Sequence, residues 1–81
     1  MVDETKKIYI LDAVGTFCPI PIIKTAELIK DMEVGEIIKL LSDDPGVVAD
    51  MQAWCEANKQ KLIGNYMQDN YTYILYVEKL R

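Results

Sequence analysis

Cys18 and Cys55 are the two thiols of this 81-residue chain, and no histidine accompanies them. That combination narrows the chemistry at once. Acyl transfer by a cysteine needs a general base beside it, and nothing in the sequence offers one. Two cysteines without histidine do not close a zinc site, so no metal and no cofactor is expected. The two thiols also sit in different company. Cys18 lies in "GTFCPIPIIKTAELI" (15–29), immediately before Pro19 and Pro21. Cys55 follows Trp54 inside an apolar helical stripe, where a cysteine acts as a small core residue.

Two prolines at the head of a helical run mark where the helix begins. The first helical turn has backbone N–H groups without an intrahelical partner, so proline removes donors that the helix does not use. Its fixed φ also suits that turn. The pattern predicts Cys18 as N-cap, Pro19 as first helical residue and Pro21 as third. A thiolate held there meets the positive end of the helix dipole and any free first-turn amides. Its pKa is then expected below the free-thiol value of about 8.5. Such a sulfur attacks disulfides, persulfides and other sulfane sulfur. The competing reading keeps Cys18 as a packing residue at a loop–helix junction. Asp43 and Asp44 are read as caps for a second helix rather than as a carboxylate pair for catalysis.

The surrounding elements follow from spacing and turn chemistry. Residues 6–12 form a β-branched and aromatic strand, and Gly15 marks a turn. From Pro19 to about Met32, Ile22, Ile23, Ala26 and Ile29 recur at helical spacing, with Gly35 placed as a stop. Residues 36–42 make a short central strand. Asp44 is expected as N-cap of a second helix and Pro45 as its first residue. Val47, Val48, Met51, Trp54 and Cys55 form its apolar stripe, and Asn58 its left-handed stop. Strands "KLIGNYMQ" (61–68) and "YTYILYVEK" (71–79) flank an Asp69-Asn70 turn. The order β-α-β-α-β-β predicts an α/β (α+β) two-layer sandwich. Its four-stranded mixed sheet would carry both helices on one face, with right-handed crossovers. The last strand is apolar on both parities, so either set of residues can face the helices.

One domain spans residues 1–81 at this length. The composition, 51% hydrophobic and 27% charged, is that of a globular domain. A net charge of −4 argues against direct nucleic-acid binding, which needs a cationic footprint. No run approaches the ~20 apolar residues of a membrane span, so no membrane insertion is expected. The start "MVDETKKIYI" lacks the apolar core of a signal peptide, and a cytoplasmic protein is expected.

The stretch "LDAVGTFCPIPIIKTAELIKDMEVGEIIKLLSDDPGVVADMQAWCE" resembles the TusA/SirA family of small sulfur-carrier proteins. Leu11-Asp12, Gly15, Cys18-Pro19-Ile20-Pro21, Leu28, Gly35-Glu36, Asp44-Pro45, Asp50 and Trp54-Cys55 carry the likeness, over about residues 8 to 79. The resemblance implies a two-layer βαβαββ sandwich. It also implies that Cys18 accepts sulfane sulfur as a persulfide and relays it to another protein, as a sulfurtransferase-like carrier with one nucleophilic cysteine. The implied partners are a donor of the cysteine desulfurase or rhodanese type and an acceptor protein. Gln52 stands where many relatives have proline, so the second helix is expected to run straighter. Asn58-Lys59 replaces a Gly-His pair on a candidate partner surface. The alternative is a non-catalytic redox-regulatory or interaction module in which Cys18 is a sensor or structural thiol.

Overall fold

A computed structural model describes residues 7–17, 19–67 and 72–81, apart from the side chains of Asn65 and Tyr66. The elements run β1 (Ile8–Asp12), α1 (Ile20–Ile29), β2 (Ile37–Ser42), α2 (Val47–Asn58), β3 (Lys61–Met67) and β4 (Tyr73–Glu78). The strands form one mixed sheet in the order β1-β2-β4-β3. β1 and β2 are parallel, and β4 runs antiparallel to both of its neighbours. The β1-α1-β2 unit therefore joins adjacent strands, whereas β4 inserts between the two strands linked by α2. The molecule is 17 Å across its thinnest dimension, the depth of one helix layer on one sheet. The Asp69-Asn70 turn lies outside the described residues.

Strand register settles which parity faces the helices. Ile38 lies beside Val77, and Leu40 beside Leu75. All four are fully buried and pack with Val47, Met51 and Cys55 of α2 and Ile29 of α1. Tyr73, Leu75 and Val77 thus point into the core. The opposite parity makes the uncovered face, where Ile8, Ile10, Ile37, Lys39, Leu41 and Tyr76 stand. On that face Ile74 is nonetheless only 2% exposed, between Leu41 and the neighbouring strand β3. A β-bulge between Leu62 and Gly64 shifts the pairing of β3 with β4.

Helix boundaries differ from the sequence reading by one to three residues. α1 begins at Ile20 with Pro19 as N-cap and Pro21 inside its first turn, and it closes at Ile29 rather than near Met32. Its buried residues are Pro21, Thr25 and Ile29, while Ile23 is 49% exposed. Ile23 was expected on the core face. Thr25 replaces it there because its hydroxyl donates to the Pro21 carbonyl at 2.9 Å, which leaves only its methyl group to pack. α2 starts at Val47 with Gly46 as N-cap, not at Pro45. Asp44 instead caps the turn before the helix: its carboxylate accepts the Gly46 N–H and its carbonyl accepts the Val47 N–H. Lys59, not Asn58, takes the left-handed conformation that ends α2, at φ 58°. The Gln60 N–H then reaches back to the Cys55 carbonyl, and the Lys59 N–H to Glu56. α2 is a continuous helix from Val47 to Asn58, in keeping with Gln52 in place of proline.

Gly35 and Glu36 have structural work at the far end of α1. Gly35 adopts a positive φ of 95° and donates its N–H to Lys79. Glu36 is buried, and its carboxylate accepts the Glu33 N–H. Desolvation of Tyr9 and its hydrogen bond to Glu36 raise the phenol pKa. Among the described residues, no buried polar side-chain atom lacks a partner.

Candidate functional site

The parallel β1 and β2 end at the same edge of the sheet where α1 and α2 begin. Four segments converge there: the loop 13–17, the head of α1, the loop 43–46 and the head of α2. The first loop is pinned along its length. The Ala13 N–H donates to the Leu41 carbonyl at 2.8 Å, which extends the parallel ladder one residue past β1. Asp12 accepts the Val14 N–H at 3.0 Å across a tight turn. Gly15 has φ 89°, a backbone state that side chains resist, and its N–H reaches Asp43 of the second loop at 3.0 Å. The Thr16 hydroxyl closes on the Ala13 carbonyl at 2.7 Å.

Asp43 is therefore not a cap for α2, as the sequence suggested. It ties the two loops together across 28 residues of chain. An aspartate next to Asp44-Pro45 reads locally as helix punctuation. Only the parallel pairing of β1 with β2 brings it to Gly15.

Cys18 itself lies outside the described residues, and both of its neighbours are exposed. Phe17 is 76% exposed, and Pro19 is exposed at the head of α1. The Ile20 N–H donates back to the Phe17 carbonyl at 2.9 Å, forming a turn around the cysteine position. Pro19 and Pro21 have no N–H. Pro19, Ile20 and Pro21 thus offer no free amide at this point. What α1 supplies at this point is the field of its aligned peptide dipoles. With Pro19 as N-cap, Cys18 stands one residue outside the position assigned to it from sequence.

Phe17, Ile20 and Ile23 are spaced three residues apart, and all three are exposed. Nothing in the residue pattern marks these side chains as facing solvent, since Ile23 also fits a core position. Pro21 turns inward instead and is buried.

Cys55 answers its expectation. It is a free, buried cysteine, 3% exposed, in the later half of α2 and far along the helix from the Cys18 end. Burial pushes its thiol up to about 11, so it stays protonated near neutrality. Among the described residues, no group of acidic, cysteine or histidine side chains could hold a metal ion. No helix among them is long and apolar enough to cross a membrane.

Comparison with known proteins agrees with this geometry. The SirA-like protein of Desulfitobacterium hafniense superposes with a TM-score of 0.79 over 91% of this chain and 99% of its own, at 23% identity, which shows the fold. YrkF of Bacillus subtilis, named as a candidate sulfur carrier protein, is 37% identical over 73% of the chain. An Aquifex aeolicus protein, likewise named, is 32% identical over 95%. The chain spans only 32% and 39% of the length of these two relatives. An Archaeoglobus fulgidus protein of the same description is 31% identical over 89% of this chain and 97% of its own length. The family model described as sulfurtransferase TusA matches residues 9–79. With its βαβαββ sandwich and its Cys-Pro-x-Pro segment at the head of α1, the chain belongs to the TusA family.

Proposed function

We propose that the chain carries sulfane sulfur as a persulfide on Cys18 and relays it from a donor protein to an acceptor protein. One observation supports this reading. Of the two thiols, Cys55 is buried in the core with its pKa raised, whereas the residues flanking Cys18, Phe17 and Pro19, are exposed. The names of the relatives support sulfur carriage as the task.

Loading is a displacement at sulfur. The Cys18 thiolate attacks the terminal sulfur of a donor persulfide, a new S–S bond forms, and the donor cysteine leaves as a thiolate. Delivery repeats the step: an acceptor nucleophile attacks the outer sulfur and Cys18 leaves as thiolate. Neither step needs an external oxidant or reductant. The helix dipole favours the negative charge on Cys18 both as attacking and as leaving group.

Incubation with a sulfane-sulfur donor, followed by intact-mass and peptide analysis, tests the reading. One added sulfur atom on Cys18, removed by reductant, is the expected result. Absence of the adduct, with Cys18 inert to alkylation, would leave a structural or sensing thiol in its place.

A further inference from the structure

Charge is distributed unevenly over the fold. Asp12, Asp43, Asp44 and Asp50 all lie at the end where Cys18 sits. Among the described residues, the loops 13–17 and 43–46 and the first turns of both helices contain no lysine or arginine. Along α1 the first cation is Lys24, one turn beyond Ile20. Lys30, Lys59, Lys61, Lys79 and Arg81 gather at the opposite end, and the Lys79 ammonium donates to the Met32 carbonyl there. Asp12, Asp43 and Asp44 each accept a local backbone amide, which accounts for their positions. Asp44 and Asp50 both approach Gly46: a Cβ there would lie 4.0 Å from one carboxylate and 3.8 Å from the other. The same end also exposes apolar side chains: Val14 and Phe17 in the first loop, and Ile20 and Ile23 in the first turn of α1.

We propose that this end is a docking face for proteins that present their reacting sulfur in an apolar patch ringed by lysine and arginine. The proposal rests on Cys18 being the exchanging thiol and adds the chemistry of its partner. Charge complementarity selects the occupant. A second copy would bring the same carboxylates and be repelled, and nucleic acid and anionic lipid share that sign. Apolar contact with Phe17 and Ile20 would supply affinity at the centre, while the carboxylates steer approach and reject acidic partners.

Small disulfides of known charge read this field at Cys18. In each exchange the Cys18 thiolate attacks one probe sulfur and the other leaves as a thiolate. Second-order rates would be measured for cystamine (cationic), 2-hydroxyethyl disulfide (neutral) and dithiodipropionate (anionic), each normalised to a neutral free thiol. At about 10 mM ionic strength the cation-to-anion ratio should exceed that of the free thiol by roughly tenfold. At about 1 M salt, where screening acts over about 3 Å, it should fall to within roughly twofold. The combined variant Asp43→Asn, Asp44→Asn, Asp50→Asn should lose the preference at low salt. Asp50→Asn alone should reduce it, should the combined variant not fold. A peptide whose activated cysteine is flanked by arginine and leucine should outpace an arginine and serine version, and Phe17→Ser should erase that advantage. A normalised ratio near one at low salt, or a preference for the anion, would overturn the proposal. Selectivity together with no persulfide formation would sink the carrier reading and spare the dock; persulfide formation without selectivity would do the reverse.

Discussion

At the scale of single residues, Cys18 and Asp43 can be separated by substitution. Cys18→Ser should abolish sulfur loading with the circular dichroism and melting of the parent, because the loop 13–17 is held by backbone contacts that do not involve this side chain. Loading retained in that variant would move the chemistry elsewhere. Asp43→Ala removes the acceptor of the Gly15 N–H and should cost about 1 kcal/mol in denaturant unfolding. Asp43→Asn keeps an amide oxygen for that bond and should cost less, so equal losses would count against the loop tie. Cys55 contributes a pH dependence. Its folded pKa lies above its unfolded value of about 8.5, so the folded state holds the proton more tightly. Its stabilising contribution is complete below about pH 8.5 and is lost as pH rises toward about 11. Cys55→Ala should cost about 1–2 kcal/mol near neutrality through a small cavity. The difference in stability between parent and variant should then shrink on going alkaline, which urea unfolding at a series of pH values would measure.

Among the elements, α2 closes on a residue that does not favour its own backbone. Lys59 sits at φ 58°, where glycine carries no Cβ penalty. Lys59→Gly should therefore stabilise the protein by up to about 1 kcal/mol, visible as a raised midpoint in urea. A lower midpoint would mean that the lysine side chain matters more than its conformation. The same helix end illustrates what could be read from sequence. Element order, the stripe Val47, Met51 and Cys55, and the turn at Gly15 follow from periodicity and local chemistry, and each stands in the structure. The terminal residues do not follow, since Asn58 and Lys59 compete for one left-handed position and the carbonyl contacts of the last turn decide between them. Ile23 against Thr25 is a similar case. Hydrophobicity favoured isoleucine for the core, but a threonine bonded to the carbonyl four residues back buries at little cost.

On the scale of the whole molecule, the sheet has one covered and one open side, and substitutions should feel the difference. Leu40→Ala, at the centre of the covered side, should cost about 2–5 kcal/mol. Ile10→Lys, at a position 67% exposed on the open side, should change stability by less than about 0.5 kcal/mol. Comparable losses from both would show that the open face is covered in solution. Topology also explains why the candidate site was only half legible. The Cys-Pro-x-Pro segment declares itself in four consecutive residues. The carboxylate rim is assembled from Asp12, Asp43 and Asp50, which only the parallel pairing of β1 with β2 and the start of α2 bring to one end. The core position of Cys55 also bears on oxidative damage. Were a peroxide to convert Cys18 to a sulfenic acid, Cys55, enclosed between α2 and the sheet, would be withheld from condensing with it. The oxidised sulfur would then turn to a thiol from solution or a backbone nitrogen, or climb to the sulfinic state, which ordinary reductants do not reverse. With Cys55 withheld, repair at Cys18 would fall to the thiols dissolved around the molecule.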